Sequence, residues 1–296
     1  MENAYHYDKE KVEALLWDVI QQQSTDNGLA WLQQRTANWK TTAAVQQFNL
    51  TFTAIPRFLS KNEITVSPET ATALRHLIDG YTIHGYTLDR LARVWWLLQL
   101  PADDRKTYTQ TIENLFDAAE MNELVALYGA LPLLAWPEAW RLRTAEGIRS
   151  NIGIVLQAIM TDNPYPARYL EEPAWNQLVM KAFFTEKPIH QISGLDKRAN
   201  QPLAATLTDY AHERWAAGRP VHPQLWRLVA PFINDNNWPD IQRIWQSENS
   251  IEKEAAALAC AMSPYEPAHT LLHQDKALQQ EIKDGTLTWD ALAPRC

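Results

Sequence analysis

The sequence predicts an all-α protein, an irregular stack of helical hairpins in the manner of a HEAT-like α-solenoid. Three observations predict it. Apolar residues recur at spacings of three and four almost throughout the 296 residues. Prolines and short polar clusters fall between those stretches, so the connections are short. The chain holds only 9 Gly against 13 Trp, 10 Tyr and 7 Phe, which argues against Gly-rich phosphate loops and many-turned β folds.

Taken in order, the first amphipathic face is Val12, Leu15, Leu16 and Val19. Residues 48–55, FNLTFTAI, alternate like a strand, yet Phe48, Phe52, Ile55 and Leu59 also form one helical stripe, and helix is the favoured reading. Leu88, Leu91, Val94, Trp95 and Leu98 make the next face, followed by Ile112, Leu115 and Phe116, then Leu124, Leu127 and Leu131, then Ile148, Ile152, Val155, Leu156 and Ile159. Pro101, Pro132 and Pro137 close one helix and open another by removing a donor and fixing φ. Trp175, Leu178, Val179 and Ala182 stripe a further helix, and Leu203, Leu207 and Tyr210 another. After residue 241 the chain reads as short helices with a Trp or Leu anchor each, as a capping end would. Tetratricopeptide and ankyrin signatures are absent. The expected organisation is an N-terminal helical segment over 1–85 and a helical domain over 86–296, or one continuous domain.

With 46% hydrophobic and 21% charged residues the chain can bury one large core or two smaller ones. Its formal charge of −8, from 27 Lys and Arg against 35 Asp and Glu, disfavours phosphate-driven nucleic-acid binding. Cys260 and Cys296 make neither a disulfide framework nor a zinc site. No stretch is long and apolar enough for a transmembrane segment, and the acidic residues near Met1 do not suit a signal peptide. A cytoplasmic location is expected. Residues 141–230 differ in balance, with 11 Lys and Arg against 8 Asp and Glu, a local +3 that leaves −11 for the rest. Prolines interrupt the same region, and irregular backbone beside clustered charge suits a binding site.

Four segments in that region carry the candidate residues. In AEGIRSNIG, Arg149 could clamp a carboxylate or phosphate, with Asn151 beside it, or pair with Glu146 one turn away. In NPYPARYLEEPAWNQLVMKAFF, Asn163 and Tyr165 sit in a stiff loop, and Asn176 and Lys181 lie on the helix that follows; Lys181 is either a base or Schiff-base amine, or a solvated side chain. His190, Asp196 and Arg198 surround Gly194 in a loop that could orient a polar ligand, while Asn200 caps the next helix. His212 and Glu213 form a possible acid/base pair, His222 follows in a Pro-flanked loop, and Arg214, Arg219 and Arg227 add positive charge. A metal shared by His212 and His222 competes with structural roles, and the absence of a second His four residues after His212 disfavours it. No metal and no cofactor is expected, and no nucleotide loop, Gly-x-Ser-x-Gly elbow or Cys-x-x-Cys occurs.

The blocks EGIRSNI, NPYPARYLEEPAWNQLVMKAFF, GLDKRANQPLA and DYAHERWAAGRPVHPQLWRLV, in that order, resemble the EboA family, together with LARVWWLLQLP and ELVALYGALPLL. The likeness runs from Leu88 to Pro264. It implies a metabolite traffic protein of bacterial secondary metabolism, from gene clusters that also encode a prenyltransferase-like membrane protein, a sugar-phosphate-cyclase-like enzyme and barrel-type relatives. It carries over no catalytic residue.

The expected function is binding of a polar or anionic small metabolite, handed on to protein partners from the same gene cluster for processing or export. Arg149, Asn151, Asn163, Tyr165, Asn176, Lys181, His190, Asp196, Arg198, His212 and Arg227 are the ligand-binding candidates. One alternative is an enzyme on that metabolite, with His212 or Glu213 as general base, Lys181 or Arg149 stabilising negative charge and Tyr165 positioning the substrate. The other is a helical scaffold that grips a protein partner.

Overall fold

The computed structural model describes residues 4–296 as an all-helical chain. Among the described residues there is no strand, only an isolated bridge between Glu63 and Thr87. Among the described residues no helix is long and apolar enough to cross a membrane. The chain divides into two compact units, residues 1–175 and 176–296.

The first unit begins with α1 (Lys9–Gln23), whose N-terminus is capped by the Asp8 carboxylate accepting from the Lys11 N–H, and which buries Val12, Leu16, Val19 and Ile20. Thr25 caps α2 (Asp26–Thr42) in the same way. The ambiguous stretch forms α3 (Val45–Ala54), and burial explains why. Phe48, Phe52, Ile55 and Leu59 are all buried, whereas Leu50, which strand alternation would place with them, is 61% exposed. After α4 (Pro68–Leu77) comes α5 (Leu88–Leu97), buried on nearly every side at the centre of this unit, with α1, α3 and α7 (Met121–Gly129) packed on it. α6 (Arg105–Ala118) lies between α5 and α7 in sequence, and α8 (Arg141–Ile148), α9 (Gly153–Met160) and α10 (Tyr165–Tyr169) follow.

Three charged residues, Asp89, Arg93 and Glu123, are buried together at this centre. Arg93, 2% exposed, donates from Nε to the Phe52 carbonyl at 3.2 Å and from Nη1 to Asp89 at 3.2 Å, with Glu123 at 3.8 Å from Nη2. Glu123 also accepts the Glu120 N–H at the start of α7, so the ion cluster ties α3, α5 and α7 together.

α11 (Glu172–Phe184) carries the chain from the first unit into the second. There, α12 (Gln201–Ala216), α13 (Leu225–Val229) and α14 (Trp238–Trp245) precede α15 (Ser250–Met262). α15 is the hub, and its buried run Ala255, Ala256, Ala257 and Ala259 presents small side chains to the helices around it. α13, α14, α16 (Glu266–Leu272), α17 (Lys276–Lys283) and α18 (Trp289–Leu292) all pack on it.

Candidate functional site

An arginine-lined cleft of the second unit is built where α12 ends. Asn200 caps α12, its Oδ1 accepting the Leu203 N–H at 2.9 Å, and the face Leu203, Ala204, Leu207 and Ala211 is buried. That leaves His212 and Glu213 exposed near the C-terminal end, with Trp215 half-buried beyond them. The helix then stops in a Schellman turn. Gly218 takes the left-handed conformation at φ 65°, its N–H donates to the Trp215 carbonyl at 3.0 Å, and the Arg219 N–H reaches back to the Arg214 carbonyl at 2.8 Å. This turn delivers Arg219 to a cavity of about 580 Å³ that Trp215, Arg243, Ser247 and Glu252 also line.

Arg243 comes from α14, where buried Ile241 and Ile244 fix the helix face. Its guanidinium lies over the Trp215 ring at 4.2 Å, and Trp226 stacks on the same indole at 5.7 Å. Protein groups already engage the Trp215 faces, so the cleft offers a ligand charge rather than a free aromatic surface. Neither Arg219 nor Arg243 forms an ion pair among the described residues. Glu252 is the one carboxylate in the lining, which leaves the cleft net positive. On its flank, His212 Nε2 meets Asp240 Oδ1 at 2.8 Å, and the His212 ring is 6.0 Å from Trp215. With Nε2 committed to Asp240, Nδ1 is the nitrogen left for a ligand.

The other expected residues are distributed as follows. In the second unit, Arg227 grips Asp196 bidentately at 2.6 and 2.7 Å and reaches Asp290 at 3.2 Å, so the structure brings Arg227 and Asp196 together as an ion pair. Asn176 and Asn200 exchange amide hydrogen bonds at 2.8 and 3.1 Å. Lys181 is half-buried on α11, Arg198 is half-buried after Gly194, and His190 is exposed. His222 accepts the Gln224 N–H on Nδ1 at 3.2 Å, and burial, followed by the nearby His190, lowers its pKa.

In the first unit, Arg149 and Asn151 are exposed, and Glu146 approaches Arg143 at 3.7 Å. Asn163 is buried and spends its amide on the chain, donating to the Tyr128 and Ala158 carbonyls at 3.0 and 2.9 Å and accepting the Tyr165 N–H at 3.0 Å. Tyr165 donates to the Pro137 carbonyl at 2.5 Å and borders a cavity of about 280 Å³ with His6, His76, Arg168 and Tyr169. Arg168 is held there by the Asp79 carbonyl.

Sequence reasoning missed Arg243 as a site residue, because it lies beyond the locally basic stretch and only tertiary packing carries it to Trp215. Among the described residues no group of three or more His, Cys, Asp and Glu side chains is arranged to hold a metal ion.

The fold and this cleft define an all-helical protein with an arginine-lined site. A family profile described as Metabolite traffic protein EboA matches residues 12–230, and the chain belongs to that family. No curated protein and no solved structure matches it. Trp215, Gly218 and Arg219 fall inside the matched stretch, while Arg243, Ser247 and Glu252 follow it.

Proposed function

We propose that this EboA-family chain binds a small anionic metabolite in the Trp215–Arg219–Arg243 cleft and hands it to protein partners in the cytoplasm. The observation that carries the reading is that two arginines, Arg219 and Arg243, line one cleft without a carboxylate partner among the described residues. A planar guanidinium is suited to bidentate contact with carboxylate or phosphate, and two at one cleft favour a compact anion. The Schellman turn fixes the backbone that carries Arg219, and the Trp215 contact holds the Arg243 guanidinium before a ligand arrives, which lowers the ordering cost of binding.

The His212–Asp240 pair favours a second reading, in which the protein also transforms its ligand with His212 Nδ1 as base. Calorimetric titration of the full chain with inorganic phosphate tests the first. Binding is expected, weakened at least about tenfold by either Arg219→Ala or Arg243→Ala, in line with loss of a charge-assisted hydrogen bond. Equal affinity in the double variant sinks it. His212→Ala then separates the readings: retained binding with turnover lost supports an enzyme.

A further inference from the structure

A second cavity adjoins the arginine cleft. It measures about 520 Å³, and Phe183, Phe184, Tyr210, Val221, His222 and Ile251 make much of its wall. Pro220 and Glu252 line both cavities, so the segment that ends the Gly218 turn is the partition between them. The two sides differ in chemistry: one presents Arg219, Arg243 and Ser247, the other a group of aromatic and aliphatic side chains with Arg214, Arg295 and Glu186 at its border.

The apolar side is finished rather than incidental. Phe184 packs edge-on against Tyr210 at 4.8 Å and Phe183 against His222 at 5.9 Å. Three of its polar groups are engaged by the protein. Arg214 Nε donates to the Pro220 carbonyl at 2.9 Å, Arg295 is held by Glu254, and His222 Nδ1 accepts a backbone N–H. Glu186 adds a carboxylate there. Phe184 keeps 59% of its surface exposed, so this wall of the second cavity offers an aromatic ring to a ligand.

We propose that the ligand is an amphiphilic anion, with its charged head between Arg219 and Arg243 and its hydrocarbon body across Pro220 against Phe183, Phe184, Tyr210 and Val221. This rests on the anion reading of the cleft and adds the class of the molecule. A wholly polar metabolite would leave the Phe184 surface wet, and a neutral lipid would leave both guanidinium groups unanswered. Glu252 stands at the junction, where it selects against a second negative charge close to the head.

The test is calorimetric titration of the full chain with inorganic phosphate, butyl phosphate and octyl phosphate, all below the concentration at which octyl phosphate forms micelles. Each methylene that becomes buried multiplies affinity by roughly four, so octyl phosphate is expected to bind at least about tenfold more tightly than butyl phosphate. Phe184→Ser should flatten that dependence and leave inorganic phosphate binding unchanged; a thermal melt confirms that this exposed position tolerates the change. Glu252→Gln should tighten both alkyl phosphates. Equal affinity for butyl and octyl phosphate, with inorganic phosphate still bound, overturns the amphiphile and leaves the anion reading intact. Octanol binding as tightly as octyl phosphate overturns it as well, because the head would then be irrelevant. A chain-length dependence that survives both Phe184→Ser and Tyr210→Ala places the hydrocarbon elsewhere and rejects the proposal. Binding of no phosphate at all removes both readings.

Discussion

The Arg243 guanidinium lies 4.2 Å from the centroid of the Trp215 ring, and this contact joins α14 to α12 across 28 residues of sequence. A cation on an indole face contributes on the order of 1 kcal/mol when partly shielded from water. Arg243→Ala is therefore expected to lower stability by about that amount and to change the emission of Trp215. Subtracting the spectrum of a Trp215→Phe protein isolates the indole in question; an unchanged difference spectrum would refute the contact.

Gly218 matters through its backbone. A Cβ added there meets open space, so only the left-handed φ of 65° resists substitution. Gly218→Ala should cost about 1 kcal/mol by chemical denaturation, while Asn, which tolerates that conformation better, should cost less. Equal losses for both residues would argue against the turn as the cause.

Arg93 offers the largest predicted effect. Replacing it with Leu leaves Asp89 and Glu123, 4% and 5% exposed, as uncompensated buried carboxylates. The loss is expected to be about 3–5 kcal/mol. The triple variant Arg93→Leu, Asp89→Leu, Glu123→Leu should recover much of it, because apolar groups then replace the whole cluster.

His222 gives the fold a pH dependence. Burial, and then His190, lowers its pKa in the folded state, so the unfolded chain takes up the proton first as pH falls. The contribution is complete above the ordinary histidine value near 6.5 and is lost as pH drops from there toward the lowered folded value. His222→Gln should reduce the stability lost between about pH 7 and 5; parallel pH profiles for the two proteins would contradict this.

The two thiols should separate cleanly. Cys260 is buried on α15 and its pKa is pushed up to about 12 by burial, whereas Cys296 is exposed. A disulfide exchange reagent is expected to modify Cys296 in the native protein and Cys260 only in denaturant. Two equally fast native thiols would reject that assignment.

The helices were legible because burial period is written locally. Phe48 and Phe52 announced α3, with Ile55 just beyond its end, and Asn200 announced the start of α12 by its residue type. The charge surplus between residues 141 and 230 was legible too, and Arg219 within it lines the cleft. What the sequence could not convey is which charge is already answered. Arg227 looks as available as Arg219 in the chain, yet Asp196 and Asp290, 31 and 63 residues away, neutralise it. Asn163 and Tyr165 likewise look like ligand groups, but the carbonyls of Tyr128, Ala158 and Pro137 take their donors. Such pairings depend on tertiary packing, and periodicity carries no information about them.

The cleft has two walls, and they come from different parts of the chain. Trp215 and Arg219 precede Ala230, whereas Arg243, Ser247 and Glu252 follow it. α13, with Leu225, Trp226, Leu228 and Val229 buried, also leans on α15 from the later stretch. A polypeptide trimmed at residue 230, where the family match ends, would thus expose Trp226 and strand one arginine without its opposite number. The two walls of the cleft therefore stand or fall together, because the helices after residue 230 complete the folding unit that α12 and α13 begin.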